Sequence, residues 1–177
     1  MGYSSLQKIK NMTTRPQLQL ELSRSDQAFE IIGWLSLVIM WVYTFTNYST
    51  LPDIIPIHFN GEGQPDDFGS RATIFIFTGI GTLIFVGLTV LNKYPQKFNY
   101  LGKITPENAQ RQYTNATKMV RFLKFAISLI LLLSVYEISQ IATGKSQGFG
   151  IWFLPFVLGL IFIPVIIYGI KSSTLKK

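Results

Sequence analysis

The one histidine of the chain, His58, lies between Leu51 and Arg71. This stretch also holds four of the nine acidic residues, three prolines and three glycines. Imidazole suits zinc and other transition metals, whereas a set dominated by oxygen suits calcium or manganese. His58, Asp53, Asn60, Glu62, Asp66 and Asp67 are therefore candidates to converge on a divalent cation, with His58, Asp53 and Asp66 as the first ligands to consider. Their spacing matches no recognised metal motif. The residues fit better with a structural role, in which Asp53 and Asn60 tie down turns through side-chain to backbone hydrogen bonds and His58 donates to a loop carbonyl. No cofactor is predicted, and a divalent metal is kept as the alternative.

Two more residues join this set as candidates for contacting a ligand or partner. Arg71 closes the stretch. Glu137 is an acid within an apolar segment, beside Tyr136, Ser139 and Gln140. A carboxylate at membrane depth is costly and usually faces a partner or a wet cavity. Glu137 is expected either to meet the His58 segment through His58, Arg71 or a bound ligand, or to sit hydrated at the headgroups. The chain has no cysteine, which excludes disulfides, thiolate metal sites and a cysteine nucleophile. One histidine and no recognisable nucleophile–base pair leave little to specify catalysis, so an enzyme ranks last among the function classes.

The elements that must position these residues are membrane helices. The mean hydropathy is +0.31, and the charges are segregated from long uncharged stretches. About 20 residues cross a hydrocarbon core of ~30 Å. The expected fold is all-α and integral to the membrane. It consists of a four-helix bundle over residues 28–171, with spans near 29–50, 72–92, 120–142 and 151–170. Residues 1–27 and 172–177 are expected as a cytoplasmic N-terminal segment and tail. The first segment is polar and basic but shows no small-residue cleavage pattern, so no removable signal peptide is expected. Gly79, Gly81 and Gly87 would let the second span approach a neighbour closely. Trp34, Trp41 and Trp152 read as residues for interface anchoring and packing, ahead of a ligand cage.

A net charge of +7 invites a nucleic-acid reading. The basic residues, however, flank apolar segments, and no polar domain exists to hold a duplex. The surplus instead sets orientation, since Lys and Arg collect in cytoplasmic loops. Lys8, Lys10, Arg15 and Arg24 precede span one. Lys93, Lys97, Lys103, Arg111, Lys118, Arg121 and Lys124 follow span two, and Lys171, Lys176 and Lys177 follow span four. The other two connections have only Arg71 and Lys145. Both termini are therefore expected in the cytoplasm, with the His58 segment outside.

Within that outer segment, Pro52 and Pro56 disfavour helix and leave an extended run from Ile54 to Asn60. Ile55, Ile57 and Phe59 alternate with Pro56, His58 and Asn60, as in a strand with one buried face. Gly61-Glu62-Gly63 supplies a turn, and Gln64 to Ser70 a second arm, making a short structured hairpin. On the cytoplasmic side, Thr105-Pro106-Glu107 opens an amphipathic helix. Ala109, Tyr113, Ala116, Val120 and Leu123 form its stripe, with Arg111, Lys118 and Arg121 off it. The helix is expected either to lie at the cytoplasmic headgroups and run straight into span three, or to be a solvated extension packed on its own protein. Glu30 stands where a carboxylate suits the start of span one.

The stretch Leu51-Pro52-Asp53-x-x-Pro56-x-His58-Phe59-Asn60-x-x-Gly63-x-Pro65-Asp66, followed by Gly69-Ser70, resembles the signature of a bacterial membrane domain of unknown biochemical function. That domain forms the N-terminal part of SdpI-like immunity proteins, which protect producer bacteria from a secreted toxin. Asn92-x-x-Pro95-x-x-Phe98-Asn99-Tyr100 and Ile104-Thr105-x-Glu107-Asn108-Ala109-x-Arg111-Gln112-Tyr113 are similar to the same family. The resemblance implies a four-helix unit of the bacterial cytoplasmic membrane with an ordered outer loop. It makes a binding, immunity or sensing module the first expectation, with a peptide toxin or envelope component as its partner besides the bilayer. An accessory subunit docked to other membrane proteins comes second, and a metal-dependent enzyme using the His58 loop third.

Overall fold

A computed structural model describes residues 15–175. The expectations for residues 1–14, including Lys8 and Lys10, and for Lys176 and Lys177 lie outside the described residues. In chain order the elements are α1 (Arg24–Asn47), a 3-10 turn (Tyr48–Thr50), β1 (Ile54–Phe59) and β2 (Pro65–Ser70). Then come α2 (Thr73–Leu91), a 3-10 turn (Pro95–Lys97), α3 (Pro106–Ala142) and α4 (Phe153–Thr174). All four helices are long and apolar enough to cross a membrane, which suggests a multi-pass membrane protein.

The helix starts are local chemistry. The Ser23 hydroxyl accepts from the Asp26 amide at 3.3 Å, and the Ser23 amide donates to the Asp26 carboxylate at 2.9 Å. At α3 the Thr105 amide donates to Asn108 Oδ1 at 2.9 Å, ahead of Pro106 at the first helical position. The expected amphipathic helix and third span are therefore one unbroken helix.

That helix is the central post. α1, α2 and α4 all pack on α3, and α1 also touches α2. Because α3 is surrounded, its burial spreads beyond the expected stripe and takes in Asn115, Thr117, Arg121, Lys124 and Ser128. α4 contributes no buried residue. Among the glycines of α2, only Gly81 answers the expected role. A Cβ there would stand 2.8 Å from Leu131, while Gly79 and Gly87 face open space. The close approach that pattern reading missed is Gly33, where a Cβ would stand 2.7 Å from the Phe85 ring. Trp41 takes the packing half of its expected role, since its indole N–H donates to Thr82 at 2.9 Å, tying α1 to α2. Beside it Thr44 and Thr78 share a buried hydrogen bond of 3.1 Å.

The largest departure from expectation concerns charge. Arg121, expected off the buried stripe, is buried, and Lys124 is only 1% exposed. The Lys124 ammonium donates to Glu30 at 2.6 Å and to Thr89 at 2.9 Å, and it lies over the Phe85 ring at 4.8 Å. The Arg121 guanidinium stands 3.6 Å from both Asp26, itself buried, and Glu30. Glu30 is thus more than a carboxylate placed for the helix dipole. It lies almost two turns into α1 and is held by two cations of α3. Two acids and two bases in contact leave no net charge, which is how buried ions become tolerable.

At the same end, the Arg15 guanidinium donates to the carbonyls of Phe98 at 2.5 Å and Gln96 at 3.2 Å and lies over the Tyr100 ring. Tyr100 packs at a tilt against Tyr113, and burial, then the neighbouring Tyr113, pushes its hydroxyl pKa up. The second motif is thus a folded clasp at the foot of α3.

Removing one member of the charge network leaves its partner buried and under-compensated. Lys124→Met is expected to lower unfolding stability in detergent by about 3 kcal/mol. The double variant Lys124→Met with Glu30→Gln should recover most of that loss. Thermal or denaturant melts followed by tryptophan fluorescence measure both.

Candidate functional site

The hairpin is built by its own turn. Asn60 Oδ1 accepts from the amides of Glu62 at 2.9 Å and Gln64 at 3.0 Å, and the Asn60 and Gln64 backbones pair at 2.9 Å. Gly63, with φ of +77°, occupies the left-handed region that glycine adopts without strain. Antiparallel pairing runs from Ile54 with Ser70 to Phe59 with Pro65, and two register shifts flank His58. The expected alternation persists through those shifts and departs only at Pro56. Pro56 is buried together with Ile55, while Ile57 and Phe59 are half-buried and His58 is exposed. Leu51 and Ile55 enter the same core as Leu37, Met40, Ile74, Val135 and Ile138. The hairpin is therefore seated on the bundle.

Each candidate residue has a definite place. His58 Nδ1 lies 2.6 Å from the Asp66 carboxylate across the hairpin, with the ring 68% exposed. It meets a carboxylate where a loop carbonyl was expected. Asp53 does not join them, because its carboxylate faces Arg71 at 3.4 Å. Arg71 also donates to the Leu51 carbonyl at 3.0 Å and covers the Tyr48 ring. Asp67 accepts from the Phe68 amide at 2.8 Å, and Glu62 projects into solvent. Glu137 meets neither His58 nor Arg71. The hydroxyl of Ser146, in the α3–α4 connection, donates to its carboxylate, and Arg71 is already engaged elsewhere. Among the described residues, no three of His, Asp and Glu gather as a metal would require.

What the sequence did not reveal is the latch between the hairpin and the α3–α4 connection. The Phe149 amide donates to the Gly63 carbonyl at 2.8 Å. A Cβ on Gly63 would stand 2.7 Å from the Gly150 carbonyl oxygen, and one on Gly148 would stand 2.4 Å from the Gly63 carbonyl oxygen. Two backbones meet here with no room for side chains. Ser146, held by Glu137, lies 3.4 Å from the Gly148 carbonyl, so Glu137 bears on the hairpin through this connection. Aromatic contacts reinforce the latch. Phe149 packs edge-on to Phe59 at 4.6 Å and stacks on Phe153 of α4 at 4.1 Å. The Gly148-Phe149-Gly150 run was the only hint of this.

Beneath the latch lies a cavity of about 310 Å³. Ile57, His58, Phe59 and Asn60 form its roof and rim. Phe77 of α2 and Phe153 and Leu154 of α4 form its sides, and Leu131, Ser134 and Ile138 of α3 its back wall. His58, paired with Asp66, thus stands at the rim of an apolar chamber.

A family model described as a domain of unknown function (DUF1648) matches residues 35–82, from mid-α1 through the hairpin to mid-α2. An uncharacterized protein of Archaeoglobus fulgidus is 32% identical over 100 residues, which cover 49% of this chain and 55% of that protein. The chain thus matches about half the length of that relative. No solved structure matches.

The latch makes a direct prediction. Gly148→Ala places a methyl against the Gly63 carbonyl, and the strain should cost on the order of 1–3 kcal/mol. Amide exchange at Phe149 should accelerate accordingly. Gly61→Ala, with open space around its Cβ, should leave that exchange unchanged.

Proposed function

We propose that this chain is a multi-pass protein of the bacterial cytoplasmic membrane, with both termini in the cytoplasm and the hairpin outside. We read it as a non-enzymatic binding or sensing module akin to the N-terminal domain of SdpI-like immunity proteins. In this reading the hairpin recognises a peptide toxin or an envelope component, with His58, Asp66, Glu62 and Asp67 on the accessible face. The observation that carries it is the latched hairpin. A cap of exposed polar residues is held over an apolar chamber by a glycine contact that leaves it no slack. An immobilised cap loses little conformational entropy on binding, which favours recognition. Asp53, Arg71 and Glu137 serve to hold that cap. The basic surplus around the Arg15 clasp supports the orientation.

A second reading, an accessory subunit, draws on α4. It has no buried residue, so its whole outer face is free for lipid or another helix. A stoichiometric partner retained through purification from native membranes, and lost when α4 is altered, would favour this reading.

The absence of cysteine makes single-cysteine labelling clean. In intact cells a membrane-impermeant maleimide should label Glu62→Cys, and should label Glu107→Cys only after lysis. The opposite pattern would sink the orientation. Cells expressing the protein should survive a membrane-active peptide toxin better than controls, and His58→Ala with Asp66→Asn should abolish the difference. Equal survival of both would remove the immunity reading.

A further inference from the structure

The chamber under the hairpin also has a chemistry of its own. Several of its polar edge atoms are already engaged. The Ser134 hydroxyl donates to the Ile130 carbonyl at 2.9 Å, Asn60 Oδ1 holds the turn, and His58 Nδ1 holds Asp66. The chamber is partly open to its surroundings, and its apolar lining offers water few partners, which favours an apolar guest. A void of about 310 Å³ falls at the lower end of small-ligand pockets, which run from roughly 300 Å³ upward. It is large enough for a chain-like guest and too small for a folded one.

Depth identifies the guest. At about 1.5 Å per residue, Ile138 and Leu131 lie roughly 6 Å and 16 Å along α3 from its last residue, Ala142. One leaflet of a bilayer has a hydrocarbon half-thickness of roughly 15 Å. On the membrane reading above, the back wall runs through the outer leaflet and the hairpin rim stands at its headgroups. α2 and α4 flank α3 on either side of the chamber, and the medium at that depth is lipid chain. The geometry points to a binding site for a single hydrocarbon chain of an outer-leaflet lipid, with the headgroup at the His58–Asp66 rim. Chain and wall gain van der Waals contact that an empty chamber forgoes. No gain comes from leaving water, since lipid tails are as apolar as leucine. Selectivity then lies in chain shape and in the polar rim.

The inference rests on the membrane reading, and the test separates the two. The protein is reconstituted in phosphatidylglycerol and phosphatidylethanolamine vesicles containing a phospholipid with a mid-chain diazirine. It is then irradiated, and the adducts are mapped by peptide mass spectrometry. Adducts should concentrate on Leu131, Ile138 and Phe153 above the level at Val38 and Leu158, which are exposed elsewhere on the bundle. Ser134→Trp should lower the chamber adducts by roughly tenfold, because an indole and a chain cannot share so small a close-packed space. The wild-type map decides the matter even if that variant fails to fold. Adducts spread evenly over all lipid-facing residues would overturn the chain site. If Glu62→Cys still labelled only from outside, the hairpin reading would stand without it; labelling from the cytoplasmic side would remove both.

Discussion

An ammonium group that is almost wholly removed from solvent must have a carboxylate beside it, and Lys124 has one in Glu30. Apolar contact between helices is non-directional and permits sliding and rotation. The Lys124 contacts permit neither. They fix α1 through Glu30 and α2 through Thr89 and Phe85, both against α3, and Arg121 repeats the constraint at Asp26 one turn nearer the start of α1. With that register set, the other specific contacts fall into line. Gly33 meets Phe85, Gly81 meets Leu131, Trp41 reaches Thr82 and Thr44 reaches Thr78. The two ends of the bundle are therefore stabilised differently, one by ions and the other by aromatic packing and backbone contact.

At the far end the organisation is a chain of dependencies. Glu137 holds Ser146, Ser146 steadies Gly148, and Gly148 with Gly150 receives the hairpin turn at Gly63. Asp53 and Arg71 clamp the hairpin's base, while Phe59, Phe149 and Phe153 close its far side. His58 and Asp66 are thereby left paired on a surface held at its base and on its far side. This division of labour separates candidates that looked equivalent in the sequence into those that hold the cap and those it displays.

How much was legible beforehand depended on the range of each interaction. Helix positions followed from lengths of apolar sequence, and the hairpin arms from prolines, glycines and alternation, because such signals are local. Thr105-Pro106 and the Asn60 turn are also local and were visible. The Lys124–Glu30 pair joins residues 94 positions apart and the Gly63–Phe149 bond 86 apart. No periodicity encodes such a meeting, so Glu30 was assigned only a dipole role and Gly148 passed unnoticed. The strand alternation held from Ile57 to Asn60 and failed only at Pro56, whose burial depends on how the hairpin is seated on the bundle. Glu137 was recognised as costly in its setting, yet its partner lay in a connection whose path could not be drawn from residue types.

α3 runs for 37 residues, with proline only at its first position and no glycine, whereas α4 carries Pro164 in its interior. Helices bend sharply at proline, at glycine pairs or at inserted groups, and α3 has no such proline or glycine hinge. It is a shaft of about 55 Å that carries the charged network near its middle, the clasp at its foot and the chamber wall towards its head. The wall beneath the cap and the ions that fix α1 and α2 are thus carried by one continuous backbone, so the placement of either end of the bundle is referred to a single helix.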